Sequence, residues 1–457
     1  MAKSRNLNLP ECIVPDYGKT SLLAVLPAVA SALGVAGNLP SSDITYADCQ
    51  AALELPDSQQ VVLVMCDGLG YFNLDQHRAY APFLRSRWAD IKQLTSTFPS
   101  TTASALTGLG TGAPPGKTGM VGYTVRVPNT GALTKGGTGI LANLVSWTQQ
   151  RDPTVIASAS GNQGAAAFNM EPTKFQRVPA VLEILANAGV SVLTTGPDKF
   201  AGSGLTRAAF RAGRFHGDQS LGGRVGAVRS FIRQSSDKLR QSAAGVYQPS
   251  GKFHQPVGAP KCAYLYWGDV DKQGHGSGPQ SAKWAEALAH FDHEFERLIR
   301  GLPAGTLVVL TADHGQIAVN RDNQIDVAQV PQLARGVALV GGEARALHVY
   351  AYDSMSDSTS GIETRESAGL IAERWRDYLG ERALVWTRAE AIAAGLFGPV
   401  VAPHVAEWIG DVVVATTGAF TIVDSRTQTA NSLELKGVHG SLTPPEMLVP
   451  LLVTVTG

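Results

Sequence analysis

The chain has 457 residues and a formal net charge of zero at pH 7, because 38 Lys and Arg balance 38 Asp and Glu. This balance argues against a nucleic acid or an anionic membrane surface as the main partner. The length predicts two domains or one large α/β domain with insertions. The four cysteines lack CxxC spacing, which indicates neither a thiolate zinc site nor a disulfide framework and favours a reduced, cytoplasmic setting.

The first apolar stretch is SLLAVLPAVASALGV at 21–35. It contains Pro27 and is shorter than the ~20 residues that a membrane span needs, and no basic segment with a cleavage site accompanies it. We therefore expect a buried helix, within an N-terminal extension (1–55) that packs on the core.

Strand and helix patterns alternate from Gln59 onward, which predicts a mostly parallel central sheet with helices on both faces. The clearest helix lies between Pro279 and Leu302, where apolar residues keep helical spacing. The predicted strands are 61–66, 154–159, 190–195, 263–267, 306–312, 411–416 and 448–455.

Two stretches interrupt this alternation. Residues 200–258 are rich in Gly, Ser, Arg and Gln, which predicts a surface insertion, and residues 325–410 contain enough strand and helix patterns for a small α+β lid. The catalytic core would then comprise residues 56–324 and 411–457. The basic residues Arg207, Arg211 and Arg214, with His216, fit a solvated helix face better than a polyphosphate site, while Arg345 is a candidate for reaching the substrate from the lid.

Acidic residues and histidines follow three predicted strands, and a further histidine precedes the last one. They are Asp67, Asp271 with His275, Asp313 with His314, and His439. The carboxyl edge of a parallel sheet is where sites form, and zinc accepts imidazole and carboxylate ligands together. Each residue also has a structural explanation, as a turn, a cap or a surface loop, but those explanations require separate coincidences.

A hydroxyl-rich segment, Ser96 to Thr102, connects a predicted strand to a helix. Its hydroxyls are candidates for a nucleophile, whereas helix N-capping is the structural alternative for Thr101 and Thr102.

Together these motifs resemble the nucleotide pyrophosphatase/phosphodiesterase branch of the alkaline phosphatase superfamily. The motifs are CDG at 66–68, TFPS at 97–100, DxxGH at 271–275, ADHG at 312–315 and VHG at 438–440, and the likeness covers about residues 60–457. It implies an α/β, alkaline-phosphatase-like fold and a two-zinc hydrolase that cleaves phosphodiester or pyrophosphate bonds in small molecules through a covalent threonine intermediate.

The resemblance also implies the role of each residue. One zinc would bind Asp271, His275 and His439, and the other would bind Asp67, Asp313, His314 and the Thr97 hydroxyl. The TFP motif places the nucleophile at Thr97, with the backbone N–H of Phe98 available for a nonbridging phosphate oxygen. Tyr123 stands where relatives commonly have a phosphate-binding Asn, so substrate choice is open at this position.

Two other classes of function fit the same motifs. The metal site would also serve a phosphomonoesterase, a phosphonate hydrolase or a phosphomutase, whereas an inactive metal-binding relative is the non-enzyme alternative. A sulfatase is disfavoured because the sequence has no CxPSR-like segment.

Overall fold

A computed structural model describes residues 12–127, 140–149, 167–234, 258–352 and 367–457. Its central sheet has seven strands, and the strand Leu448–Val455 alone runs antiparallel to its neighbours. In spatial order the strands are Lys92–Thr95, Leu448–Val455, Leu307–Thr311, Gln60–Cys66, Lys261–Trp267, Ser191–Gly196 and Arg214–Gly217. The mostly parallel sheet is therefore confirmed.

Apolar, β-rich runs explain the middle of this sheet. Six residues of Gln60–Cys66 and every residue of Leu307–Thr311 are buried, as expected for strands covered on both faces. The predicted strand at 154–159 lies outside the described residues.

Helices cover the sheet on both faces. The helices of eight or more residues are Val25–Ala32, Tyr46–Leu53, Thr102–Thr111, Leu221–Arg233, Asp269–Ser277, Ala282–Gly301 and Ala368–Leu379. The shorter α-helices are Tyr71–Gln76, Pro82–Ser86, Pro115–Thr118, Pro172–Phe175, Val181–Asn187, Gly204–Ala209, Pro331–Ala334, Arg388–Ala393, Pro403–Ala406, Ala430–Leu433 and Pro444–Met447. Val25–Ala32 is a buried helix, as predicted, and no helix of the described chain is long and apolar enough to cross a membrane.

Part of the stretch predicted as a surface insertion, 200–258, belongs to the central layers instead. Arg214–Gly217 is an edge strand of the sheet. The helix Leu221–Arg233 buries Val225, Val228 and Phe231 and packs on the strands Lys261–Trp267 and Ser191–Gly196. Only one face of this helix is buried, so its mean composition is polar. A prediction from composition therefore missed the apolar stripe.

A second, antiparallel sheet has the spatial order Val337–Gly342, Ala346–Ala351, Val412–Thr416 and Ala383–Thr387. The strand at 411–416 was therefore predicted correctly but assigned to the wrong sheet, since it pairs with strands of the lid region. Its continuous apolar sequence fits either sheet, and only pairing distinguishes them. The division into core and lid domains stays a prediction.

Three small sheets complete the described chain. One contains Thr124–Val127, Ile140–Asn143 and Thr148–Gln149. The other two pair Ile317–Ala318 with Gly437–Val438, and Gln324–Asp326 with Thr421–Val423. The pair Ile317–Ala318 and Gly437–Val438 holds the segment before His439 beside the segment after His314, so two distant motifs meet.

Candidate active site

Three adjacent parallel strands deliver the acidic motifs to one edge of the central sheet. Asp67 follows Gln60–Cys66, and the strands on either side lead to Asp271 and Asp313. Backbone contacts fix this convergence, because the Asp271 N–H donates to the Asp67 carbonyl at 3.1 Å and the Gly68 N–H donates to Asp313 Oδ1 at 3.0 Å. The predicted juxtaposition of these motifs is therefore present in the structure.

Gly68 allows the close approach of Asp67 and Asp271. Its φ is +72°, which an L side chain rarely adopts, and a Cβ there would lie 2.8 Å from the Asp271 Cα. The DG pair thus combines a carboxylate with the backbone geometry that the site needs.

One group of possible metal ligands contains Asp67, Asp313 and His314, all buried. His314 Nε2 lies 3.4 Å from Asp313 Oδ2 and 3.7 Å from Asp67 Oδ1. Neither of these two carboxylate oxygens has a hydrogen-bond partner, although both are buried. Buried anionic oxygens without partners are costly, so a bound cation would satisfy them.

A second group contains Asp271, His275 and His439. The two imidazoles face each other with their Nε2 atoms 3.3 Å apart, and Asp271 Oδ1 lies 3.4 Å from His275 Nε2. Backbone carbonyls occupy the Nδ1 atoms, Gly437 for His275 at 2.8 Å and Ser100 for His439 at 2.9 Å. Carbonyls that bind Nδ1 in this way leave Nε2 free to coordinate a metal.

The side chains of the two groups do not balance one another's charge. Burial, followed by the nearby Asp313 and Asp271, raises the pKa of Asp67 well above its usual value. Burial, followed by His314 and His275, lowers the pKa of His439 well below its usual value. A divalent cation at each group would favour the ionised carboxylates and neutral imidazoles that coordination requires.

Thr97, the predicted nucleophile and ligand, does not lie with these groups. It is fully buried, and its hydroxyl donates to the Pro99 carbonyl at 2.9 Å. Its methyl group lies against the middle of the helix Thr102–Thr111, 3.2 Å from the position of a Cβ on Gly108. The prediction from the TFP motif therefore disagrees with the structure. The segment reaches the candidate ligand groups only five residues after Thr97.

Thr102, the first residue of that helix, occupies the place expected of Thr97. Its hydroxyl lies 3.2 Å from His314 Nε2, and the residue lines the same cavity as Asp67, Asp271 and His439. The N-capping alternative does not hold, since no side chain caps this helix. Hydrogen bonds from Ser100 to the segment before the last strand hold the turn, its N–H to the Gly440 carbonyl at 3.0 Å and its hydroxyl to the Ser441 carbonyl at 2.8 Å.

The other predicted contacts divide into two sets. Tyr123 lines the cavity and is 38% exposed, whereas the N–H of Phe98 donates to the buried Tyr17 hydroxyl at 3.0 Å and is unavailable to a substrate. Arg345 is fully buried in an ion pair with Glu446, with 2.7 Å between Nη2 and Oε2, so it does not reach the substrate.

The basic group at 207–216 is mainly structural. Arg207 pairs with Glu171, and Arg211 pairs with Glu183 at 2.9 Å and donates to the Val178 carbonyl at 2.6 Å. These contacts fit the interpretation as a helix surface rather than as a polyphosphate site.

Three side chains near the candidate metal ligands carry no motif and were not predicted. Tyr266 donates its hydroxyl to Asp67 Oδ2, and Gln316 donates to both the carboxylate and the carbonyl of Asp271. Glu343, on the turn between two strands of the second sheet, lies 3.3 Å from His439 Nδ1, and burial raises its pKa well above the usual value. Tyr266 alone had a local signal, as a polar position at the end of an apolar strand.

The cavity in front of these groups has a volume of about 500 Å³. Carboxylates, imidazoles, hydroxyls and amides contribute to its wall, including Asp67, Thr101, Glu343 and Asn431. Among the described residues that line it there is no Lys or Arg. The described lining therefore offers no Lys or Arg to balance the charge of an anionic substrate.

Comparisons with known proteins identify a family and a fold for the chain. A family model described as type I phosphodiesterase / nucleotide pyrophosphatase matches residues 61–442. No curated protein sequence matches the chain.

Solved structures share the fold. Murine ectonucleotide pyrophosphatase / phosphodiesterase 5 is 14% identical, with a TM-score of 0.53 over 86% of this chain and 87% of that chain, and the same holds for its inactive threonine-to-alanine variant in complex with AMP. Phosphonoacetate hydrolase from Sinorhizobium meliloti 1021, in complex with phosphonoformate, is 19% identical, with a TM-score of 0.55 over 87% of this chain and 91% of that chain. These likenesses confirm the predicted alkaline-phosphatase-like fold.

Proposed function

The chain belongs to the type I phosphodiesterase / nucleotide pyrophosphatase family, and we propose that it hydrolyses small-molecule phosphodiesters with two zinc ions and a covalent intermediate on Thr102. It is a hydrolase that acts on phosphoester bonds. The main support for zinc and for Thr102 is that the Thr102 hydroxyl lies 3.2 Å from His314 Nε2, in a cavity that members of both candidate ligand groups line.

The donor sets fit zinc. One ion would be held by Asp67, Asp313 and His314, whose unpartnered carboxylate oxygens need a cation, and the other by Asp271, His275 and His439. When bound, such ions neutralise charge on the attacking and departing oxygens of phosphoryl transfer and lower the pKa of a coordinated hydroxyl.

The residues of the chain supply orientation for the two displacements. Thr102 Oγ1 forms a bond to phosphorus while one ester bond breaks, and water then cleaves the threonine ester and restores the hydroxyl. Tyr266 and Gln316 hold Asp67 and Asp271 through hydrogen bonds, and carbonyls fix the three imidazoles. Fixed groups avoid reorganisation during the reaction, which is the main contribution that a protein makes to phosphoryl transfer. A cytoplasmic location is proposed because the spacing of the four cysteines in the sequence does not indicate a disulfide framework.

Diesters are the proposed substrates because a monoester carries one more negative charge. Asp67, Asp271 and Glu343 line the cavity, and no described Lys or Arg lines it to compensate that charge. Two metal ions balance the single negative charge of a diester, in the ground state and in the transition state, more completely than the two negative charges of a monoester.

The test compares 4-nitrophenyl thymidine 5′-monophosphate with 4-nitrophenyl phosphate. We expect kcat/KM for the diester to exceed that for the monoester by about 100-fold or more, since one unpaired charge near carboxylates costs a few kcal/mol. Faster cleavage of the monoester would refute the proposed diesterase and support the phosphomonoesterase alternative.

Phosphonate hydrolysis is the second candidate, because phosphonoacetate hydrolase shares the fold. Its substrate has a carboxylate in addition to the phosphonate, and the cavity offers no described cationic side chain for it. Release of inorganic phosphate from phosphonoacetate, at a rate above that of diester cleavage, would make this function the better one.

A further inference from the structure

Each carboxylate in the group Asp67, Asp313 and His314 has one oxygen bound to a donor of the chain and one buried oxygen without a partner. The two oxygens without partners both face the His314 imidazole. We propose that this division makes the group selective for a metal ion with four ligands, so that it prefers zinc to manganese or magnesium, and that Tyr266 sets the selectivity. The inference rests on the metal site of the proposed function.

Backbone N–H groups occupy one oxygen of Asp313. The N–H groups of Gly68 and His314 each donate to Asp313 Oδ1 at 3.0 Å. Asp313 Oδ2 has no partner and lies 3.4 Å from His314 Nε2. Because two hydrogen bonds use both lone pairs of Oδ1, Asp313 would coordinate a metal ion through Oδ2 alone.

A side chain occupies one oxygen of Asp67. The Tyr266 hydroxyl donates to Asp67 Oδ2, whereas Asp67 Oδ1 has no partner and lies 3.7 Å from His314 Nε2. A hydrogen bond to an ionised carboxylate is among the stronger ones in proteins, so it competes with coordination at Oδ2. Unlike the backbone donors at Asp313, this donor can be removed by one substitution. Tyr266 therefore determines whether Asp67 offers a metal ion one oxygen or two.

The surroundings of Tyr266 keep its hydroxyl at Asp67. Its carbonyl accepts from Arg224 Nη1 at 2.8 Å, and its ring meets that of Phe200 edge to face with the centroids 5.8 Å apart. Gly268 leaves room for the hydroxyl, since a Cβ there would lie 2.8 Å from Tyr266 Oη. The hydrogen bond to Asp67 therefore depends on the absence of a side chain at position 268.

The group supplies three ligand atoms, which are Asp67 Oδ1, Asp313 Oδ2 and His314 Nε2. Thr102 Oγ1 lies 3.2 Å from His314 Nε2 and would be a fourth. Zinc commonly takes four ligands and accepts nitrogen and oxygen together. Magnesium and manganese prefer six ligands, most of them oxygen. The number and the kind of the ligand atoms therefore favour zinc.

Access for water to this group is narrow. The three side chains are at most 2% exposed, and among them only Asp67 lines the described wall of the cavity. A six-coordinate ion would therefore have to take its further ligands from one side. The second oxygen of Asp67 would be a further ligand inside the group, and the hydrogen bond from Tyr266 occupies that oxygen.

The second group has a different arrangement and provides an internal reference. Gln316 donates to Asp271 Oδ1, and the same oxygen lies 3.4 Å from His275 Nε2. The hydroxyl of Tyr266 is bound to Asp67 and not to this group. A change in metal selectivity that Tyr266 causes should therefore be confined to one of the two ions.

Three variants test the inference. Tyr266→Phe removes the hydroxyl and keeps the ring. Gly268→Ala acts from a neighbouring residue, because its Cβ displaces the Tyr266 hydroxyl while the backbone φ of −119° suits alanine. Tyr264→Phe is the matched control, since this tyrosine lies two residues earlier in the same strand and its hydroxyl has no hydrogen-bond partner. Each variant is also combined with His275→Ala, which weakens the second group and leaves the Asp67 group for titration.

The first measurement is the preference for zinc over manganese. Protein treated with a chelator is titrated with Zn²⁺ and, separately, with Mn²⁺ in competition with a chromophoric chelator, and the ratio of the two Kd values is recorded. We expect the preference for zinc to fall by about 10-fold or more in Tyr266→Phe and Gly268→Ala, and to stay within about 2-fold of wild type in Tyr264→Phe.

The second measurement reports the number of ligands. Co²⁺ bound by four ligands absorbs visible light much more strongly than Co²⁺ bound by six, so its spectrum distinguishes the two geometries. We expect strong absorption bands in wild type and in Tyr264→Phe. The bands should be weaker in Tyr266→Phe and Gly268→Ala, because a second oxygen of Asp67 joins the ion.

The outcomes separate selectivity from mere orientation of a ligand. If Tyr266→Phe loses affinity for zinc and manganese by the same factor and keeps the cobalt spectrum, the hydroxyl only orients Asp67 and the inference is overturned. An unchanged ratio in Tyr266→Phe, or an equal fall in Tyr264→Phe, would overturn it as well. Wild-type protein that binds no zinc would refute the proposed metal site together with the inference. Wild-type protein that shows the expected selectivity but cleaves no diester would refute the proposed function alone.

Discussion

At the scale of single residues, the nucleophile is the place where the sequence motif and the structure differ. Thr97 and Thr102 are both threonines in one short segment, but Thr97 packs into the core and Thr102 begins a helix beside His314. The direction of a side chain in a turn depends on backbone angles that no periodicity encodes. The sequence therefore limited the candidates to a few hydroxyls, and the fold places the hydroxyl of Thr102 beside His314.

Substitution of Thr102 tests this assignment. Thr102→Ala removes the attacking oxygen, so we expect kcat for 4-nitrophenyl thymidine monophosphate to fall by about 10³-fold or more. Both metal ions should remain bound, because Asp67, Asp313 and His314 still form their group. Steady-state kinetics with metal analysis of the same samples measure both results.

Thr97→Val is the matched control. Valine keeps the shape and the methyl group, while the loss of one hydrogen bond to the Pro99 carbonyl costs about 1 kcal/mol of stability. We expect kcat within a few-fold of wild type. A fully active Thr102→Ala together with an inactive Thr97→Val would restore the original assignment.

At the scale of elements, a buried ion pair joins the second sheet to the core. Arg345 follows the turn that carries Glu343, and its guanidinium binds Glu446, which lies just before the strand Leu448–Val455. Both side chains are fully buried, and Glu446 also accepts from the Ser441 N–H at 2.9 Å. The pair therefore fixes Glu343 and the segment after His439 in one arrangement.

Loss of one partner should destabilise the protein strongly. Arg345→Met leaves the Glu446 carboxylate buried without its counter-ion, so we expect a loss of about 3–5 kcal/mol in the free energy of unfolding. Denaturant unfolding followed by circular dichroism measures the change. Arg376→Met, which removes a half-exposed pair with Glu390, should cost no more than about 1 kcal/mol.

A double variant separates charge from packing. Adding Glu446→Gln to Arg345→Met removes the buried charge but keeps an acceptor for Ser441, so part of the lost stability should return. If the double variant is as unstable as the sum of the two single variants, lost packing rather than an unpaired charge explains the effect.

Pairing between elements also explains the two errors in the predicted organisation. The strand Val412–Thr416 and the helix Leu221–Arg233 were recognised incompletely because their partners lie far away in the sequence. The sequence of a short apolar strand does not indicate which sheet the strand joins. A helix with one buried face has a polar average composition, so composition alone does not reveal its apolar face.

At the scale of the whole molecule, the metal ions should stabilise the fold as well as catalyse the reaction. Three carboxylates from distant parts of the chain meet at one edge of the sheet, and two of their buried oxygens have no partner. We expect two zinc-like ions per chain by elemental analysis. Chelation should abolish activity and lower the melting temperature. Added zinc should restore both, and at 100-fold excess over Kd each site should add about 2.7 kcal/mol to the free energy of unfolding.

A pair of variants makes the metal count specific. Asp313→Asn weakens one group and should reduce the content to about one ion per chain. Asp322→Asn, at an exposed position outside both groups, should retain two. Full activity in a preparation without metal would contradict the site.

Local sequence patterns were enough to predict the fold class, the edge of the sheet where the candidate site lies, and six residues that the structure gathers there: Asp67, Asp271, His275, Asp313, His314 and His439. These follow from local patterns, since apolar strands end at a carboxylate and glycines permit the sharp turns after them. The position of Thr102, rather than Thr97, beside His314 and the burial of Arg345 became apparent only from the folded chain. The reason is physical: the direction of a side chain and the closure of a cavity depend on contacts between segments that are distant in sequence, and each segment alone is compatible with several of them.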